Sequence, residues 1–147
     1  LKGVIEALQE AARELLLIFP VHPRTKARIE ASGALPSCAN GGNLRLVPPM
    51  SYLSFLGLMG GARLVLTDSG GIQAESTILG IPCLTLRDST EYTITLSHGT
   101  NRLAGTTPET ILPVFADALR SRFSVDLPPL WDGLASDRIA ETLLSLG

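Results

Sequence analysis

Short apolar runs, none longer than a strand, alternate along this chain with segments whose apolar residues recur at helical spacing, and few architectures accommodate that alternation. Val4, Ile5, Leu8, Ala11, Ala12 and Leu15 predict an amphipathic helix over 2–14, leading into the run Leu15 to Phe19, read as a buried strand. The two prolines of Pro20-Val21-His22-Pro23-Arg24-Thr25 lack ladder donors and stop that strand, and a second helix is expected through about Ala31. Gly33, Pro36 and Asn40-Gly41-Gly42-Asn43 predict a loop, and Leu44-Arg45-Leu46-Val47 a strand closed by Pro48-Pro49. The stripe Tyr52, Phe55, Leu56 and Met59 predicts a helix ended by Gly60-Gly61. Beyond it, Arg63 to Thr67 reads as a strand, Asp68-Ser69-Gly70-Gly71 as a tight turn, Ile72 to Leu79 as a helix stopped by Gly80, and Ile81 to Leu86 as another strand. After an irregular stretch, Asn101 to Ala104 predicts a short strand, Pro108 to Arg120 a helix opened by Thr107 and Pro108, and Ala135 to Leu146 a terminal helix. Strands joined through helices imply a doubly wound α/β fold, a parallel sheet with helices on both faces, whose ligands sit beyond the carboxyl ends of the strands.

At 147 residues the chain is expected to form one domain, spanning 1–147, or one lobe of a larger enzyme. Hydrophobic residues make up 45% and charged residues 18%, which is too apolar for a disordered segment and enough to close a core. The net charge is -2 with scattered basic residues, so no nucleic acid and no anionic membrane surface is expected as a partner. Cys38 and Cys83 belong to no metal-binding spacing and are read as ordinary reduced thiols. No apolar run reaches the ~18 to 20 residues of a membrane span, and no secretory signal is visible. A cytoplasmic setting follows as an expectation. Because the sequence opens at Leu1 inside a helical pattern, a fragment of a longer protein is expected.

The sharpest candidate site is Thr67-Asp68-Ser69-Gly70-Gly71-Ile72-Gln73-Ala74-Glu75. The first turn of a helix leaves N–H groups unpaired and carries partial positive charge, which suits a phosphate, and glycines let the anion approach. Ser69 adds a hydroxyl donor, and Glu75, about one turn on, could accept two hydrogen bonds from a vicinal diol such as a ribose. Together these suggest a nucleotide; the equal alternative is that Asp68 or Ser69 only caps the helix, the glycines only make the turn and Glu75 is a solvated surface charge. A second polar stretch, Arg87-Asp88-Ser89-Thr90-Glu91, follows the Ile81 to Leu86 strand and either lines the same crevice, with Arg87 as anion partner, or is a solvated loop. His22 and His98 lack a second ligand at metal spacing and are read as loop histidines that satisfy backbone groups. Met50, Tyr52 and Phe55 are read first as core residues, although Phe55 could also offer a flat face to a base.

Five segments, Phe19 to Thr25, Thr67 to Gln73, Arg87 to Glu91, Gly99-Thr100-Asn101-Arg102-Leu103 and Trp131-Asp132-Gly133, resemble the C-terminal lobe of the non-hydrolysing UDP-N-acetylglucosamine 2-epimerases. The Gly-Gly-(x)3-Glu turn followed by Gly80-Ile81-Pro82 is shared more widely with two-lobed nucleotide-sugar glycosyltransferases, whereas the segments 87–91 and 99–103 are more specific. The resemblance implies a two-lobed, GT-B-like enzyme in which Rossmann-like lobes face each other, this one gripping UDP while the sugar lies in the cleft. It assigns Ser69, Gly70 and Gly71 to the diphosphate, Glu75 to the ribose and Phe55 to the uracil side, with His22, Arg87, Glu91, Met50 and Tyr92 as candidate cleft-lining residues.

The chemistry so implied is deprotonation at sugar C2, elimination of UDP and re-addition with the opposite C2 configuration, interconverting UDP-N-acetylglucosamine and UDP-N-acetylmannosamine. Its acid and base groups come mainly from the N-terminal lobe, so no catalytic residue is expected in this chain, which on its own should bind UDP or UDP-N-acetylglucosamine weakly and catalyse nothing. No cofactor and no metal are expected; an N-terminal lobe is the implied partner, and a homodimer is left open. The chain departs from the family at Tyr92, where a second arginine is usual, at Thr93 for a common proline, at Met50 for a commonly polar residue, and at Ala74 for an acidic one. The first and third of these point to weakened UDP binding. Two other readings share the same turn, a UDP-sugar-dependent glycosyltransferase lobe and a non-catalytic nucleotide-binding module.

Overall fold

A computed structural model describes residues 1–33, 42–121, 123 and 126–146. The expected loop residues Pro36 and Asn40-Gly41, together with Cys38, lie outside the described residues. Seven helices and five strands alternate among the described residues: α1 Lys2–Ala11, β1 Leu17–Pro20, α2 Pro23–Ala31, β2 Leu44–Val47, α3 Tyr52–Gly60, β3 Val65–Thr67, α4 Gly70–Leu79, β4 Cys83–Thr85, α5 Ile94–Ser97, β5 Asn101–Leu103, α6 Pro108–Arg120 and α7 Ala135–Ser145.

All strand pairs among the described residues are parallel, as crossover connections require. The hydrogen bonds fall into two ladders, β1 with β2 and β3 with β4 with β5, where one sheet was expected. Side chains join what backbone bonds do not: Leu17 of β1 and Leu66 of β3 pack against both main core clusters. One cluster sets Ala7 and Ala11 of α1 against Leu84 of β4 and Ile111, Phe115 and Ala118 of α6; the other sets Ile5 and Leu8 against Val21, Ile29 and Leu44. Each fully buried Ile, Leu or Phe contributes roughly 1.5–3 kcal/mol. Helices therefore cover both faces of the parallel strands.

Several boundaries differ from expectation for local reasons. The first helix ends at Ala11 rather than 14, because Arg13 and Glu14 donate to Glu10 and Ala11 in tightened three-residue turns. β4 begins at Cys83 because Pro82 has no N–H, although its carbonyl still accepts from Val65 at 2.9 Å. α4 starts two residues earlier than expected, taking Gly70 and Gly71 into its first turn, and stops where Gly80 adopts φ +69, a left-handed value that a side chain disfavours. The stretch expected to be irregular contains the four-residue helix α5.

α7 differs from the other long helices. None of its residues is buried, and Ile139, Leu143 and Leu144 are exposed, although its apolar stripe is that of a packed helix. The Trp131-Asp132-Gly133 segment holds its start: Asp132 accepts the Leu134 N–H and pairs with Arg138, which hold its carboxyl well below the usual range. No described helix is long and apolar enough to cross a membrane.

Candidate functional site

β3 ends at Thr67, whose hydroxyl accepts the Ser69 N–H at 3.0 Å and turns the chain into α4. Ser69 stands in extended backbone as the N-cap, and its carbonyl accepts the first helical bond, from Gln73. Its hydroxyl caps nothing. Among the described residues the N–H groups of Gly70, Gly71 and Ile72 find no acceptor, so three donors and the positive end of the helix dipole face outward. Side chains close three of the other helix starts: His22 Nδ1 accepts from Arg24 in α2, Ser51 Oγ from Ser54 in α3, and Thr110 Oγ1 from Thr107 in α6, whereas α1, α5 and α7 have no side-chain cap among the described residues.

The two glycines of the turn differ. A Cβ on Gly71 would meet only the Ser69 hydroxyl, at 3.9 Å, so this position opens onto free space. A Cβ on Gly70 would strike the Tyr92 ring, whose Cδ2, Cε2 and Cζ atoms lie beside that glycine. One turn on, Glu75 is half-buried, and its Oε2 is shielded from solvent without a hydrogen-bond partner among the described residues. An unpaired buried carboxylate oxygen is costly, and hydroxyl donors would relieve it. Phe55 of α3 is half-buried and packs, with Ile72 of α4, against Met59, Val65, Ile81 and Cys83.

The polar stretch after β4 comes to the same turn through Tyr92. Arg87 does not reach outward as a free cation; its guanidinium meets Glu91 at 3.2 and 3.4 Å. The Glu91 carboxyl lies below its ordinary range, held there first by its own backbone N–H and then by the Arg87 charge. His22 and Met50 stand just past the carboxyl ends of β1 and β2, both exposed, and neither bonds to the α4 turn among the described residues.

Other expectations are corrected. Met50 and Tyr52 are 41% and 60% exposed rather than core, because Met50 precedes the Ser51 cap and Tyr52 begins α3 on its outer side. His98 pairs with the Ser97 hydroxyl rather than with backbone. Cys83 is buried in β4, and burial pushes its thiol up to about 11 against the opposing hydrogen bonds of Ser76 and Thr85, so it stays protonated and inert.

Sequence reasoning missed the buried polar group beneath this turn. Gln73, Thr85, Thr95 and Asn101 are all shut off from solvent and hydrogen-bonded together. The signal was present in the stretch Gly99 to Leu103, quoted for its resemblance and given no physical role.

Compared with known proteins, residues 1–144 match the family model described as UDP-N-acetylglucosamine 2-epimerase. The UDP-N-acetylglucosamine 2-epimerase of Methanocaldococcus jannaschii is 34% identical over 97% of this chain and 39% of its own length. The UDP-2,3-diacetamido-2,3-dideoxy-D-glucuronate 2-epimerase of Pseudomonas aeruginosa is 35% identical over 99% of this chain and 40% of its own length. The crystal structure of the Methanocaldococcus jannaschii enzyme in complex with UDP-N-acetylglucosamine and UDP superposes with a TM-score of 0.85 at 34% identity, covering 99% of this chain and 40% of that one. The chain thus spans about two fifths of the length of these relatives and corresponds to their C-terminal part.

Proposed function

Because the chain belongs to the UDP-N-acetylglucosamine 2-epimerase family, we propose that it is the UDP-gripping lobe of an enzyme that inverts C2 of a UDP-linked 2-acetamido sugar. The diphosphate sits on the open N-terminus of α4, held by the N–H groups of Gly70, Gly71 and Ile72 and by the Ser69 hydroxyl. Glu75 accepts the ribose hydroxyls, and Phe55 lies on the uracil side. His22, Met50, Arg87, Glu91 and Tyr92 line the crevice at the strand ends. The open turn carries this reading: three outward N–H donors, a spare Ser69 hydroxyl and a Gly71 position that opens onto free space stand one turn from the unpartnered Glu75 Oε2.

The names of the two relatives share UDP and a 2-acetamido sugar while differing in the rest of the ring, which supports that substrate class and not one sugar within it. The acid and base groups for C2 chemistry belong to an N-terminal part matching the remaining length of the relatives. Its attachment would also cover the exposed apolar residues of α7. A cytoplasmic location accords with a nucleotide-sugar substrate.

Calorimetric titration of UDP, uridine and pyrophosphate tests the site. Gly71→Val fills the open space where the phosphate must come and is expected to abolish measurable UDP and pyrophosphate binding while leaving the fold intact, since no neighbour crowds that position. Glu75→Gln loses charge-assisted bonds to the ribose and should weaken UDP by about 10- to 150-fold, with little change for pyrophosphate. Unchanged UDP affinity in both variants would place the nucleotide elsewhere.

A further inference from the structure

The Tyr92 ring against Gly70 does not stand alone. Its loop is tied to α4 by a chain of hydrogen bonds that runs from the surface into the core: Thr90 Oγ1 donates to the buried Gln73 Oε1 at 2.6 Å, and the same hydroxyl accepts the Tyr92 N–H at 3.1 Å. Gln73 Oε1 also accepts from Asn101 Nδ2 at 3.0 Å, and that nitrogen donates to Thr95 Oγ1 at 2.9 Å, while Asn101 Oδ1 accepts from Thr85 at 2.7 Å. Thr95 closes the circuit by donating both its N–H and its hydroxyl to the Tyr92 carbonyl, at 3.0 and 2.7 Å. Gln73, Thr85, Thr95 and Asn101 are buried, so each bond replaces one that water cannot supply.

We infer that Gln73, Asn101 and Thr90 are positioning residues, a latch rooted in the core at Gln73 and Asn101 that fixes the 87–92 loop on the first turn of α4 and so sets the shape of the anion site from beneath. Gln73 lies one turn below Gly70 on α4, and its side-chain bonds run through Oε1 alone, since Nε2 has no partner among the described residues. One carbonyl oxygen therefore joins three elements: α4, the loop through Thr90, and β5 through Asn101. Gly99 adds a steric stop: a Cβ there would collide with Thr77 of α4 and the Thr95 carbonyl, so α4 and α5 are already in close contact beside the latch. Releasing Thr90 frees both the loop and the backbone N–H that orients Tyr92. The link to nucleotide affinity rests on the proposed UDP site; the link to Tyr92 does not.

The test uses the whole chain, isotope-labelled, and two variants, Thr90→Val, which keeps the shape and loses the hydroxyl, and Thr90→Ser, which restores it. In the unsubstituted chain the Gly70 α-protons are expected to be displaced by the Tyr92 ring current, and the Thr90 hydroxyl proton to exchange slowly. Thr90→Val should return the Gly70 signals toward ordinary glycine values and Thr90→Ser should bring the displacement back. UDP should weaken roughly tenfold in Thr90→Val, the upper worth of one hydrogen bond, while uridine is unchanged. General destabilisation would lower both ligands together. An undisplaced Gly70 signal, a rapidly exchanging Thr90 hydroxyl, or equal loss of UDP and uridine overturns the latch. Failure of the unsubstituted chain to bind UDP sinks the proposed function instead, and the Gly70 and Thr90 signals still decide the latch.

Discussion

Incubated with UDP-N-acetylglucosamine in deuterated water, the chain alone is expected to incorporate no deuterium at C2 and to yield no UDP-N-acetylmannosamine. The reaction demands a base in reach of the C2 proton and an acid for the departing UDP, each group worth about 10²–10⁴-fold and useful only when held in line. Of the carboxylates near the α4 turn, Glu75 is half-buried on the proposed ribose side and Glu91 is paired with Arg87. A crevice walled on one side also admits water, so an unsaturated sugar would diffuse away before UDP could add back. Joined to an N-terminal part of the kind its relatives carry, the chain should exchange deuterium at C2 and produce the epimer. Exchange by the chain alone would place a base within it and overturn this division of labour.

The second large effect is a gain. Tyr92→Arg should tighten UDP by about 10- to 150-fold, the worth of one charge-assisted hydrogen bond, and leave uridine nearly unchanged. Position 92 already lies against Gly70, so a forked guanidinium rooted there stands beside the three outward N–H groups of α4, where diphosphate charge collects. The phenol supplies neither the charge nor the fork. Arg87 cannot replace it while it is paired with Glu91. Calorimetry with both ligands checks this; equal tightening of uridine would mean that position 92 does not meet the phosphates.

Local signals carried much of the fold. α6 was legible to the residue because Thr107 and Pro108 mark its start, and β2 because Pro48-Pro49 closes a four-residue apolar run. α5 was not, since four residues carry no period. The apolar stripe of α7 announced a packed helix without saying that none of its residues is buried, because periodicity records a face and not its partner. At the site, the turn from Ser69 to Gly71 could be placed from strand, glycines and helix in succession. The Gln73–Asn101 bond joins residues 28 apart, and such a pairing exists only once β5 lies beside β4 and α4 covers them. Likewise the polar run Arg87 to Glu91 read as a candidate anion site, yet its spacing put the cation and the carboxylate within reach of each other first.

The central claim is that UDP occupies the open first turn of α4. Titrating UDP into the ¹⁵N-labelled chain and following every amide tests it most directly. Saturable shifts concentrated at residues 69–75, with the Gly70 and Gly71 amides moving most and uridine alone moving them little, are the predicted result. UDP that shifts amides elsewhere and leaves 69–75 in place would contradict it.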